Sequence, residues 1–165
     1  MMISEAMNTK LNEQIAVEFG AAHQYLAMAC SFEAMGYRIL AKWFFKQSEE
    51  ERTHAKRIID YVHSVDGCVA LTAVSAPKSD FKSVEEIIRM ALEGEERITT
   101  LINELVTLAG SEQDHATQSM LAWFVDEQVE EVASMRGVLQ LVQLANGNIL
   151  QVENRLRHEM LAGQA

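Results

Sequence analysis

The sequence has 165 residues, 48% of them hydrophobic, with a single proline and a formal net charge of −10. That length can bury a substantial core in one domain over residues 1–165, and the hydrophobic fraction argues against wholesale disorder. The scarcity of turn formers argues against an all-β fold. The acidic balance argues against a nucleic-acid partner, because phosphate binding needs clustered Lys and Arg, and suits a protein that attracts cations.

Cys30 and Cys68 form neither a disulfide framework nor a Cys-x-x-Cys metal knuckle. No apolar run reaches the roughly 18 residues of a membrane span. Met1 to Leu11 carries Glu5 and Lys10 but no apolar core of signal-peptide length. The expectation is a soluble cytoplasmic protein with reduced thiols and no membrane partner.

In chain order, apolar periodicity predicts helix A over Ser4 to Met35, closed by Gly36, and helix B over Ile39 to Val65. Asp66 to Lys82 shows no sustained helical period and contains Gly67, Pro77, Ser79 and Asp80, which marks a linker. Ser83 and Glu86 have the spacing of a capping box and open helix C, over Val84 to Ala109. Gly110-Ser111 ends it. Helix D covers Asp114 to Ala145, Asn146-Gly147-Asn148 breaks it, and a short helix E covers Ile149 to Met160. Short A–B and C–D turns imply antiparallel neighbours. The linker, about 17 residues, can cross a bundle end to end in extended form. The predicted fold is an all-α four-helix bundle with one long B–C crossover and a short fifth C-terminal helix.

Each long helix carries an apolar seam at mixed spacings of three and four. In helix A it reads Leu11, Ile15, Glu18, Ala22, Tyr25, Ala29, Phe32. In helix B it reads Phe44, Gln47, Glu51, His54, Ile58, Tyr61, Val65. Helix C gives Val84, Ile88, Ala91, Glu95, Ile98, Ile102, Leu105, and helix D gives Leu121, Phe124, Gln128, Glu131, Met135, Val138, Val142. Acid or amide interrupts every seam near its middle, so Glu18, Glu51, Glu95 and Glu131 converge at one level with His54 and Gln128. Buried carboxylates without partners are prohibitive, and no Lys or Arg lies in these seams. Bound cations are the natural compensation; carboxylates with an imidazole suit iron, manganese or zinc. Glu51-x-x-His54 adds a pair on one helix face.

Four segments in order resemble the bacterial non-haem ferritins: Leu11-Asn12-Glu13-Gln14 with Glu18; Glu50-Glu51-Arg52-Thr53-His54; Ile102-Asn103-Glu104-Leu105-Val106 after Glu95; and Trp123 through Glu131. The segments resemble the ferritin-like di-iron pattern, a known bundle-core arrangement with a Glu from each of two helices and Glu-x-x-His from each of the other two. Helix D departs from it with Gln128-x-x-Glu131, which disfavours a bacterioferritin. Arg52 stands where bacterioferritins have their haem-binding methionine, so no haem is expected.

The resemblance implies one iron held by Glu18, Glu51 and His54. It implies a second held by Glu51, Glu95 and Glu131, with Glu51 bridging and Gln128 beside the pair. Glu50, Glu127 and Glu130 resemble a third iron site, with a solvated acidic face as the alternative. Tyr25 resembles the family's tyrosine near the di-iron centre, as electron donor, hydrogen-bond partner or core aromatic. The implied activity is ferroxidase, oxidising Fe(II) with dioxygen or hydrogen peroxide, with ferric mineral stored in a homo-oligomeric shell of 24 subunits. Helix E would line four-fold contacts, and the acidic C–D turn three-fold channels. A small di-iron oxidase that stores no iron, a bacterioferritin-like protein and a metal-free helical interaction module are the alternatives. Glu112-x-x-His115 also has ligand spacing, but it sits at the start of helix D, far from the common level.

Overall fold

A computed structural model describes residues 2–162 of the chain. It contains α1 (Glu5–Ala34), α2 (Arg38–Ser64), α3 (Val84–Ser111), α4 (His115–Leu144) and α5 (Ile149–Ala162), with no strand among the described residues. No helix among them is long and apolar enough to cross a membrane. The all-α bundle with a long crossover and a short fifth helix is therefore as expected.

The helix boundaries differ from the sequence reading by a few residues, for identifiable reasons. Ser4 and Asp114 are N-caps rather than first residues: their side chains accept from the Met7 and Thr117 amides, each at 2.9 Å. Gly110-Ser111 does not stop α3. The turn is made two residues later by Gln113, at φ 55°. Asn146 (φ 45°) and Gly147 (φ 90°) make the α4–α5 turn. The capping box is half formed. Ser83 accepts from the Glu86 amide at 3.1 Å, but the Glu86 carboxylate takes the Lys82 amide at 2.7 Å. Tyr61 leaves the seam half-buried and gives its place to Val62.

The core falls into two apolar clusters. One contains Tyr25, Met28, Phe32, Leu40, Phe44, Ile88 and Met135. The other contains Met7, Leu11, Ile15, Ile58, Val62, Ile102, Leu121 and Phe124. Chain direction follows from this split. α1 and α4 run from the second cluster to the first, while α2 and α3 run from the first to the second. α2 and α3 are thus parallel, and only a long crossover can join them.

The crossover lies along α1, held by amide side chains. Asn8 and Cys68 exchange bonds of 3.0 and 3.2 Å through the Cys68 backbone. Asn12 donates to the Cys68 carbonyl at 2.8 Å and accepts from the Ala70 amide at 2.7 Å. Gln24 bonds both backbone groups of Lys78, each at 2.9 Å. Gly67 packs so closely that a Cβ there would lie 2.7 Å from Asn8 Oδ1 and 2.9 Å from the Val62 carbonyl. At the other end, α2 has no side-chain cap of its own at Tyr37. Glu153 of α5 supplies one, accepting from the Ile39 and Leu40 amides at 2.7 and 2.9 Å, while Val152 and Leu156 join the first cluster.

Asn12 is buried and Asn8 is half-buried. Asn12→Ala leaves the Ala70 amide without its acceptor and removes one of two bonds to the Cys68 carbonyl, both part-buried, and is expected to destabilise the metal-free protein by about 1–3 kcal/mol; Asn8→Ala should cost less than about 1 kcal/mol. Guanidinium denaturation of both variants measures the difference, and equal effects would show that the crossover is not clamped at Asn12.

Candidate metal centre

Between the two apolar clusters lies one polar layer. Glu18, Glu51, His54, Glu95, Gln128 and Glu131 all enter it, and none is more than 7% exposed. Each sits on the stripe that carries its helix's core residues, so the period that buries Ile15 and Ala22 also buries Glu18. The level is common because each helix reaches it near its midpoint.

Ligand-capable atoms of Glu18, Glu51 and His54 lie within 4.8 Å of one another. His54 Nδ1 is 3.2 Å from Glu51 Oε2. Gln14, one turn before Glu18, donates to Glu18 Oε1 at 2.7 Å, while Glu18 Oε2 is buried with no hydrogen-bond partner among the described residues. An oxygen-rich site with an orphaned oxygen and an imidazole fits a divalent metal ion. The His54 ring is packed edge-on against Trp123 and Phe124, at 5.4 and 6.0 Å between centroids. Arg57 covers the Trp123 ring at 4.2 Å.

The second expected ligand set is arranged differently. Glu131 groups with His54 and Glu127, their ligand atoms again within 4.8 Å. Glu95 is engaged instead by Tyr25, whose hydroxyl donates a short hydrogen bond to Oε1, and by Gln128, which donates to Oε2 at 3.1 Å and to the Glu95 carbonyl at 3.2 Å. Tyr25 therefore sits in the layer as a hydrogen-bond donor. Of the three glutamates assigned to a third site, only Glu127 joins a group. Glu50 is half-buried between Lys46, at 2.9 Å, and Gln47, which donates it a short hydrogen bond. Glu130 is exposed and lies outside both groups. Glu112 accepts from the Ser4 hydroxyl at 2.8 Å and His115 faces Gln118 at 3.0 Å, so that pair serves the turn. Arg52 is exposed, with Glu49 at 3.7 Å.

Gln14 and Gln47 stand in the segments singled out from the sequence, but their contacts were not read there. Gln14 holds Glu18 from the preceding turn, a spacing that could have been noticed. Buried Gln47 holds Glu50 and leaves its own Oε1 without a partner among the described residues.

Burial dominates the electrostatics. It pushes the Glu18 carboxyl well up, helped by the Glu51 charge, and pushes Glu51 up, helped by Glu95. Glu131 is raised from the ordinary carboxylate range to about 8, by burial first and then by Glu95 and Glu50. Glu95 is raised by burial, against the pull of its hydrogen bonds from Tyr25 and Gln128. Burial and the Glu95 charge also raise the Tyr25 hydroxyl well above its ordinary value. Without a cation the layer therefore keeps protons, and an entering cation replaces them.

Comparison with known proteins identifies the family. The model of the ferritin-like domain family matches residues 8–145. The chain is 40% identical over 132 residues to the bacterial non-heme ferritin of Staphylococcus saprophyticus, covering 80% of this chain and 79% of that one. It is 33% identical over 169 residues to ferritin BfrB of Mycolicibacterium smegmatis, covering 100% and 93%. Among solved structures, an open pore ferritin from Archaeoglobus fulgidus superposes with a TM-score of 0.92 at 36% identity, over 94% of this chain and 96% of that one. A family match over that span, with relatives this similar along most of their length, makes the chain a member of the ferritin-like domain family.

Proposed function

We propose that the chain is an iron-storage ferritin with ferroxidase activity. The observation that carries the reading is the buried Glu18–Glu51–His54 group, with its orphaned Glu18 oxygen and no cationic side chain in the layer. The name of the staphylococcal relative supports the same reading.

In this proposal Fe(II) is the substrate. One ion is held by Glu18, Glu51 and His54. A second is held by Glu51, Glu95 and Glu131, with Gln128 steadying Glu95 and Tyr25 donating to it. Each Fe(II) gives up one electron. Dioxygen accepts both and leaves, with two protons, as hydrogen peroxide; peroxide as oxidant accepts two electrons and two protons and leaves as two waters. The protein fixes the spacing of the ions, keeps the layer dry between its apolar clusters, and gives up carboxyl protons as the ions bind. Glu50, Glu127 and Glu130 form the acidic side through which iron moves on. The product is stored as ferric mineral in a shell of 24 copies. Exposed large apolar residues such as Leu71, Val129, Leu144 and Leu150 are the kind of surface that neighbouring copies cover. The proposed compartment is the cytoplasm.

Anaerobic Fe(II) titration followed by dioxygen exposure tests the activity. Two irons oxidised rapidly per chain are expected, and no rapid phase would overturn the proposal. Native mass measures the assembly; a value near one or two chains would rule out storage in a shell.

Glu95→Leu separates function from stability. It should abolish rapid oxidation and leave the metal-free protein as stable or more stable, because replacing a buried charge by a fitting apolar group is often neutral or stabilising by about 1–4 kcal/mol. Zn(II) should raise the melting temperature of the unmutated protein more than that of the variant. A strongly destabilised metal-free variant would make Glu95 a structural residue.

The raised Glu131 pKa gives a pH signature. The folded state holds this proton up to about 8, whereas the unfolded chain releases it near the ordinary value of 4.5. Between those limits the folded state binds more protons, so this contribution to stability falls as pH rises and levels off above about 8. Metal-free melting of the unmutated protein relative to Glu131→Gln should show that decline. Zn(II) binding near neutral pH should release protons, read by calorimetry in two buffers of different ionisation enthalpy. A pH-independent difference would mean that Glu131 is ionised throughout.

A further inference from the structure

The layer has two unlike walls. On the α2–α4 side it is acidic, with Glu127 and Glu131 beside His54 and with Glu50 near Glu131. Between α1 and α3 the wall is apolar and contains a crevice of about 40 Å³. Gln24, Met90 and Gly94 stand at its mouth, and Tyr25, Ala91 and Glu95 at its floor. There is free space at Gly94: a Cβ placed there would meet nothing within 4 Å. The polar groups on the path are already engaged. Both ends of the Gln24 amide are bonded to the Lys78 backbone, and the Tyr25 hydroxyl is bonded to Glu95.

We infer that this crevice is the entry and binding site for dioxygen, separate from the route taken by Fe(II). The inference rests on the iron oxidation proposed above and names its oxidant. The crevice is small, at about 40 Å³, but large enough for a small molecule, so polarity decides what enters. Hydrated Fe(II) would have to shed its water against methyl and thioether groups, at prohibitive cost. Hydrogen peroxide would lose its hydrogen bonds to water and find none free on the way. Dioxygen, apolar and uncharged, loses nothing by leaving water for such a lining. The crevice ends on Tyr25 and Glu95, at the layer where the electrons are given up. Cation and oxidant therefore reach one site from opposite walls.

The test uses the assembled protein with Gly94→Leu, which puts a branched side chain at the mouth, and Gly94→Ala, which does not reach across it. Both substitutions favour the helix. Crystals under xenon pressure give a readout independent of iron. Xenon is expected in the crevice of the unmutated protein and of Gly94→Ala, and absent from Gly94→Leu. In stopped flow at several dioxygen concentrations, Gly94→Leu should lower the dioxygen-dependent rate constant several-fold. Peroxide-driven oxidation and Zn(II) binding should stay unchanged. An empty crevice under xenon would overturn the inference, as would an unchanged dioxygen dependence in Gly94→Leu. Equal slowing with peroxide, or weakened Zn(II) binding, would place the effect at the metal layer and also overturn it. If the unmutated protein fails to oxidise Fe(II) at all, the proposed function falls; loss of xenon binding alongside normal oxidation removes only the crevice.

Discussion

Four carboxylates buried at one level of a helical bundle set the terms for the rest of the molecule. Each costs several kcal/mol to desolvate as an ion, and among the described residues no Lys or Arg is buried with them to offset it. The layer persists because the rest of the chain supplies the stability it lacks. Two complete apolar clusters lie on either side, one of them extended by α5. The layer is a plane between two cores rather than a defect in one, and each helix crosses it once. That crossing explains why every long helix needs apolar turns both before and after its glutamate.

The same split fixes the topology. A layer shared by four helices requires that their midpoints coincide, so the parallel α2–α3 pair must be joined by a chain running the full length of the bundle. Val69 and Phe81 pack this segment against the two clusters, and polar contacts fasten it to α1. The amides of Asn8, Asn12 and Gln24 each satisfy crossover backbone groups that would otherwise face the side of α1. Gln24 does two things at once, since the residue that fastens the crossover also stands at the mouth of the α1–α3 crevice. Glu153 plays the corresponding part for α5, where a carboxylate completes an otherwise uncapped helix start.

How much of this was legible in the sequence depended on whether a residue's role is periodic. Glu18, Glu51, Glu95 and Glu131 stand at core spacing, and helical geometry alone placed them in one layer. His54 followed from its i, i+3 relation to Glu51. Non-periodic contacts were not legible. Asn12 and Glu153 act on backbone groups distant in sequence, and no spacing rule points from them to Ala70 or Leu40. The end of α3 was misplaced because Gly110 tolerates helix, and the turn was set by a non-glycine residue, Gln113, in the left-handed region. Within the site, the pairing of Glu131 with Glu127 and His54, and of Glu95 with Tyr25, depends on rotamers and on which neighbour reaches an oxygen first. A pattern of residue types does not contain that information.

The electrostatic coupling within the layer gives the binding of ions an order. Burial raises the proton affinity of Glu18 and Glu131, so without metal the layer is a less charged cage than four bare carboxylates. The Glu51 charge raises the proton affinity of Glu18, and the charges of Glu95 and Glu131 raise that of Glu51. A divalent ion arriving at Glu18, Glu51 and His54 must therefore displace protons, and it cancels the repulsion that Glu51 shares with Glu95 and Glu131. That cancellation lowers the proton affinity of the remaining carboxyls, because a nearby positive charge favours their ionised form. In the proposed function, the first ion would thus prepare the ligands of the second. The coupling among the same glutamates that make the metal-free core costly supports that reading.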